Sequence, residues 1–171
     1  GYVGLPLAVA LSKKFMTTGF DIDVKRVSEI SNGIDVTGEL NESELLGAER
    51  LHATADFNDI SKANIYIITV PTPIDDNRQP DLTPLINASE MVGRTLKSGE
   101  LVIYESTVFP GATEEYCVPV LERSSGLKFN QQFFVGYSPE RINPGDKNNK
   151  LSNILKVTSG STPEIADFVD A

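Results

Sequence analysis

The sequence contains one cysteine, Cys117, one histidine, His52, two methionines and no tryptophan in 171 residues. A lone cysteine cannot close an internal disulfide, and without a second thiol there is no CxxC pair for a metal or redox site. This fits a reducing compartment such as the cytoplasm. Cations are sparse as well: 15 Lys and Arg stand against 24 Asp and Glu, for a net charge of -9. A phosphate backbone is bound by clustered cations, so nucleic acid is not an expected partner. No apolar run reaches the about 18 residues that a membrane helix needs, and no basic stretch leads into a short apolar core as in a signal peptide. A soluble protein that does not engage a membrane is expected.

With 40% hydrophobic and 23% charged residues the composition is that of a globular protein, and the length suits one domain, residues 1–171, with a core that needs no staples. Short β-rich runs alternate with longer helical patterns, the signature of βαβ units around a parallel sheet. Strands are expected at Met16 to Asp21, Leu51 to Thr54, Ile65 to Val70, Leu101 to Ser106, Phe133 to Tyr137 and Ile154 to Ser159. Most are continuous apolar runs, as strands buried on both faces should be. Helices are expected at Leu5 to Lys14, Val24 to Ser31, Leu82 to Leu96, Ala112 to Ser124 and in the final segment. Leu82, Leu85, Ile86, Ser89, Val92 and Leu96 repeat at roughly helical spacing and give one helix an apolar face.

Both ends read as cut. Gly1-Tyr2-Val3-Gly4 leads straight into Leu5, Pro6 and Leu7 as a turn entering a helix. In a parallel α/β unit a strand precedes such a turn, so a missing first strand is expected. At the other end Thr162-Pro163-Glu164 opens a capped helix that stops at Ala171, and the natural chain is expected to continue.

In an open parallel sheet, ligands bind beyond the carboxyl ends of the strands, so the residues that follow each strand are the candidate site. Gly1-Tyr2-Val3-Gly4 reads as the last four positions of GxGxxG, whose small residues let backbone N–H groups and a helix N-terminus approach a pyrophosphate. The same four residues would also serve as an ordinary glycine turn. Asp21 stands 17 positions after Gly4 (21 minus 4), close to where an acid accepts hydrogen bonds from the adenosine ribose. An acid there repels a 2'-phosphate, which favours NAD over NADP. Asp23, two residues on, suits a helix cap. Val70-Pro71-Thr72-Pro73 ends the next apolar strand and holds one hydroxyl, on Thr72, between two stiffening prolines. Ile74 to Pro80 reads as a solvated excursion, and no metal site is expected.

The remaining segments, Tyr104-Glu105-Ser106-Thr107-Val108-Phe109-Pro110-Gly111 and Gly136-Tyr137-Ser138-Pro139-Glu140-Arg141-Ile142-Asn143-Pro144-Gly145, each continue from an apolar strand and should bring polar groups to one edge. Taken in order, GYVGLPLA, FDID, VPTP, ESTVFPGAT and YSPERINPGDK resemble the UDP-glucose/GDP-mannose dehydrogenase family, and within it the members that act on UDP-N-acetylhexosamines in capsule, O-antigen and Vi-antigen synthesis. The resemblance spans the chain but only the N-terminal domain of the family. It implies a Rossmann-like, doubly wound parallel α/β sheet, truncated at both ends, with NAD as cofactor.

On that resemblance Gly1, Tyr2, Val3, Gly4, Asp21, Arg26, Thr72 and Thr107 contact NAD, with Arg26 near the adenosine and Thr107 near the nicotinamide. Thr107 and Glu140 are the catalytic positions, and Glu140, Arg141, Ile142 and Asn143 line the sugar-nucleotide pocket. The implied activity is a two-step, four-electron oxidation at C6 of a UDP-N-acetylhexosamine to the uronic acid. Each turnover passes through a thiohemiacetal and a thioester on a cysteine that lies in later segments, beyond a central helix. Family members commonly form homo-oligomers through that helix. Cys117 has no glycine-rich surroundings and reads as a buried structural thiol, and His52 reads as structural. Glu140 would otherwise be a turn cap after Pro139. An NAD-binding remnant without activity, or another Rossmann dehydrogenase, would also account for Gly4 and Asp21, but the latter leaves SPERINPG unexplained.

Overall fold

The computed structural model describes residues 1–74, 78–140 and 155–171. Two compact units are present, one formed by Gly1–Ala63 and the other by residues 64–140 with Leu155–Ala171.

In the first unit, α1 (Gly4–Ser12) leads to β1 (Thr17–Phe20), α2 (Val24–Ser31), α3 (Glu42–Leu46), β2 (Leu51–Thr54) and α4 (Phe57–Ile60). The two strands run parallel, with Thr17 opposite Leu51 and Phe20 opposite Thr54. Leu5 and Val9, one helical turn apart on α1, meet Leu45 of α3, and Ile30, Leu40, Ala48 and Leu51 close around them. Helix α2 begins where Asp23 accepts from the N–H groups of Lys25 and Arg26, as expected of a cap. The sequence reading missed α3 and α4. Helix α3 is held by a capping box in which Asn41 accepts from the Glu44 N–H and Glu44 reaches back to the Asn41 N–H. Helix α4 is one turn capped by Asp56.

In the second unit, β3 (Ile65–Ile68), α5 (Thr83–Gly93), β4 (Glu100–Tyr104), α6 (Val118–Ser125), β5 (Phe133–Tyr137), β6 (Ser159–Gly160) and α7 (Pro163–Asp170) follow one another. The sheet order is β3-β4-β5-β6. Strands β3, β4 and β5 are mutually parallel, and β4, in the middle, is buried along its whole length. Its Val102 and Tyr104 share the core with Leu85, Leu121 and Phe133, all at most 1% exposed. The apolar face of α5 is where the periodicity placed it, with Leu85, Ser89 and Val92 buried. A Cβ at Gly93 would lie 2.7 Å from the Ser124 Cβ, so the glycine is what lets α5 and α6 come this close. Pro119 sits in the first turn of α6 and has no N–H to give. The stretch before it, Thr113–Cys117, is wound as one π-helical turn.

One expected strand is corrected. Ile154 to Ser159 was assigned to a parallel sheet, yet residues 155–158 are not strand, and β6 covers only Ser159–Gly160 and runs antiparallel to β5. Ile154 lies outside the described residues. Helix α7 folds back directly onto β6: a Cβ at Gly160 would lie 2.2 Å from the Ala166 N.

Candidate functional site

Two groups of candidate residues are placed, one in each unit. In the first unit the N-terminus of α1 has no side-chain cap at Val3, and the Leu5 N–H donates to the Gly1 carbonyl at 3.2 Å. Gly1 lies within electrostatic reach of Arg26, Asp21 and Asp35. Asp21 follows β1 directly, and its Oδ1 accepts from the Asp23 N–H at 3.0 Å. Arg26 is 7% exposed. Its Nη2 donates to Asp35 Oδ1 at 2.6 Å, while Nη1 is buried without a hydrogen-bond partner and sits 4.0 Å from Glu29 Oε2. Asp35 also accepts from the Thr37 N–H and hydroxyl and from the N–H groups of Glu39 and Leu40. Burial works to raise this carboxyl, but the Arg26 and Thr37 hydrogen bonds outweigh it and hold the pKa at about 2.

In the second unit the segments after β3, β4 and β5 are tied together. The Glu105 N–H donates to the Ile68 carbonyl, the Ser138 N–H to the Tyr104 carbonyl, and the Glu140 N–H to the Glu105 carbonyl at 3.1 Å. These bonds continue the parallel ladders past the strand ends. Across them, the Thr72 hydroxyl donates to the Thr107 carbonyl at 2.8 Å, and the Thr107 hydroxyl donates to the Glu140 carbonyl at 3.0 Å. Ser106 anchors the same crossing by donating to the Val70 carbonyl at 2.6 Å. Thr72, Thr107 and Glu140 are therefore joined in one chain of hydrogen bonds. A cleft of about 330 Å³ opens beside it, lined by Val108, Phe109, Gly136, Tyr137 and Ser161 among others.

Two charged residues that the sequence reading gave no role complete this edge. The Lys156 ammonium donates to Glu105 Oε2 and lies 3.6 Å from Glu140 Oε2. The Glu105 and Glu140 side chains are 6% and 5% exposed. Burial pushes the Glu105 carboxyl up from its usual range, and Lys156 and Ser138 only partly offset it. The available signal for Lys156 was a lysine inside an expected apolar strand. For Glu105 it was a carboxylate placed directly at the end of the most apolar one. Arg141, Ile142 and Asn143 lie outside the described residues, as does the 75–77 part of the Ile74 to Pro80 excursion, whose two ends pair as an Ile74–Pro80 bridge.

Cys117 has the buried place expected of it. Cys117 is fully buried, and burial raises its thiol pKa, so it is poorly suited to act as a nucleophile. His52 is exposed on β2, 3.3 Å from Asp59.

Residues 1–169 match the UDP-glucose/GDP-mannose dehydrogenase family, NAD binding domain. The chain belongs to this family. It is 61% identical over 171 residues to a UDP-N-acetyl-D-glucosamine 6-dehydrogenase of Pseudomonas aeruginosa, a match that takes in 100% of this chain and 40% of that protein. A protein of the same description from Salmonella typhi is 59% identical over 170 residues, covering 99% of this chain and 40% of its own. Among solved structures, the UDP-D-ManNAc dehydrogenase of Pyrococcus horikoshii superposes with a TM-score of 0.86 at 30% identity, over 98% of this chain and 41% of that one. This NAD-binding domain thus spans about two fifths of the length of these relatives, and its fold is the Rossmann-like α/β type.

The residues of the first unit fit NAD. The uncapped start of α1 suits a pyrophosphate, the Asp21 carboxylate at the end of β1 suits ribose hydroxyls, and the unsatisfied Arg26 Nη1 is a buried donor in search of an acceptor. Among the described residues no helix is long and apolar enough to cross a membrane.

Proposed function

We propose that the whole protein containing this domain oxidises C6 of a UDP-N-acetylhexosamine to the carboxylate in two NAD-dependent steps. The observation that carries this reading is the hydrogen-bonded run from Thr72 through Thr107 to Glu140, in a chain 61% identical to a UDP-N-acetyl-D-glucosamine 6-dehydrogenase. That identity also favours the gluco configuration of the hexosamine over the galacto and manno forms.

NAD, when bound, accepts a hydride from C6 in each oxidation. This chain's residues bind, orient and move protons. Gly1, Tyr2, Val3 and Gly4 would present N–H groups to the pyrophosphate, Asp21 would hold the ribose, and Arg26 would give its Nη1 to the adenosine end. Thr72 fixes the Thr107 main chain, and Thr107 fixes that of Glu140, so the three move as one piece. The first oxidation turns the alcohol into an aldehyde, with loss of a hydride and a proton. The second, through a thioester on a cysteine outside this chain, ends with the attack of water. Glu140 would orient that water and take its proton, while Arg141, Ile142 and Asn143 would line the sugar-nucleotide pocket. The site is proposed to work in the cytoplasm, in the synthesis of surface polysaccharide.

The test is to supply the purified whole protein with NAD and, separately, the UDP-N-acetyl derivatives of glucosamine, galactosamine and mannosamine and also UDP-glucose. NADH and uronic acid are then counted. Two NADH per uronate, fastest with UDP-N-acetylglucosamine, is expected. No oxidation of any UDP-N-acetylhexosamine, or a product that stops at the aldehyde, would overturn the reading.

A further inference from the structure

The antiparallel return of β6 has a consequence for Glu140. In the β5–β6 pairing Gly136 faces Gly160 and Tyr137 faces Ser159, so paired residue numbers always sum to 296 (136 plus 160, 137 plus 159). Glu140 and Lys156 sum to 296 as well. Lys156 therefore stands at the continuation of that register, opposite Glu140, and its ammonium reaches Glu140 Oε2 at 3.6 Å while donating to Glu105 Oε2. Glu105 reaches the same place from β4, through the Glu140 N–H that donates to its carbonyl. The charged groups that meet Glu140 include Glu105, from the end of β4, and Lys156, from the segment before β6.

We infer that Lys156 is a positioning residue for the proposed oxidation: shared between the Glu105 and Glu140 carboxylates, it holds the Glu140 carboxylate aimed as the base of the hydrolytic step. The inference rests on the function proposed above. Two carboxylates largely removed from water, with one cation between them, cannot both stay ionised once the cation is gone. Burial raises the Glu105 carboxyl above its usual range, and the Lys156 ammonium works against that rise. Lys156 touches no reacting atom and acts only through Glu140. The chain that follows Lys156 is fixed as well: Thr158, two residues on, donates to Asp170 Oδ1 of α7 at 2.6 Å, and the Ser161 N–H donates to the Val135 carbonyl at 2.8 Å.

The experiment compares the whole wild-type protein with Lys156→Met, Lys156→Arg and Glu105→Gln. Turnover is followed across pH, and carboxyl titration is followed independently by infrared difference spectroscopy, with thermal unfolding as a check on folding. Lys156→Met is expected to lower kcat at neutral pH by about tenfold or more and to move the acid limb of the profile up by about one pH unit, with little change in the KM for the UDP-sugar. Its infrared carboxyl band should titrate at higher pH than in the wild type. Lys156→Arg should restore most of the activity and the limb, and Glu105→Gln should move the limb the other way, since Lys156 is then left to Glu140 alone. A Lys156→Met protein that is folded but titrates like the wild type, or loses activity equally at all pH values without rescue by arginine, would overturn the assignment. The infrared titration needs no substrate, so it decides the role of Lys156 even if the wild type oxidises no UDP-N-acetylhexosamine, an outcome that counts against the proposed function alone.

Discussion

The Thr107 hydroxyl donates to the main-chain carbonyl of Glu140 at 3.0 Å, across 33 residues of sequence. It joins the end of β4 to the end of β5 at the point where both chains leave the sheet. Thr107→Val keeps the size and removes the donor. We expect it to slow turnover of the whole protein by about fivefold to tenfold, in line with the roughly 1 kcal/mol of one hydrogen bond, whereas Thr107→Ser should stay close to the wild type. Steady-state kinetics on the pair decides it: equal activities would mean that the hydroxyl does not hold Glu140.

Asp21 gives the cofactor prediction. Replacing it with Ala should weaken NAD binding by about 1 to 3 kcal/mol, the usual loss for a hydrogen bond to a charged group. Discrimination against NADP should fall with it. Calorimetry on the whole protein measures both, and unchanged affinities would remove Asp21 from the ribose.

The Arg26–Asp35 pair predicts an acid-side stability profile. The folded-state pKa of Asp35, about 2, lies below the ordinary value of 3.8. Its contribution is therefore fully present above the unfolded-state value and is lost as pH falls through the folded one, a window of roughly pH 4 to 2. Asp35→Asn should flatten this part of the stability curve. At neutral pH it should also cost about 3 kcal/mol, since the buried Arg26 guanidinium loses its 2.6 Å partner and keeps only Glu29, at 4.0 Å. Urea unfolding at a series of pH values would show an unaltered acid slope if the pair did not act this way.

Glu140→Gln keeps the shape of the side chain and removes the proposed base. In the whole protein we expect a fast burst of NADH followed by slow turnover, because hydride transfer survives while thioester hydrolysis stalls. Intact-protein mass spectrometry should find a covalent sugar-nucleotide adduct. Wild-type turnover with no adduct would make Glu140 a structural residue.

Cys117 should be silent in all of these measurements. Its side chain is fully buried, and the hydroxyls of Ser89 and Tyr104 lie beside it. Cys117→Ala should cost about 1 to 2 kcal/mol of stability through the lost volume and leave turnover unchanged. A proportional loss of activity in a stable variant would return the thiol to the site.

Much of the arrangement was legible in the sequence because strong local signals coincide with the sheet. The strands Leu51–Thr54 and Phe133–Tyr137 and the helix Val24–Ser31 fall where the apolar runs and the Asp23 cap place them. Thr72 stood out because it lies just beyond an apolar strand, where a parallel sheet collects its polar groups, whereas Thr107 and Glu140 were assigned on the family resemblance of their segments. The short helices were not legible. Five residues in α3 and four in α4 are too few for a period, and their stability resides in the caps Asn41 and Asp56. Nor was the direction of β6, since an apolar run such as Ile154 to Ser159 carries no mark of whether its partner runs with it or against it. Lys156 was missed for the same reason: its relation to Glu140 exists only once the antiparallel register is known.

The pairing around β4 also sets a timetable for folding. Ile65 pairs with Leu101 and Glu100 with Phe133, so both ladders of this central strand join residues more than 30 positions apart in the chain (101 minus 65, 133 minus 100). No two-residue turn can start such a sheet, and each rung waits for the closure of a long crossover, which makes the process slow. On a ribosome β4 would leave the exit tunnel with only β3 to pair with and its other edge open until Phe133–Tyr137 follows. The nascent chain is therefore most exposed to mispairing in the interval between those two strands, and chaperone binding should be concentrated there.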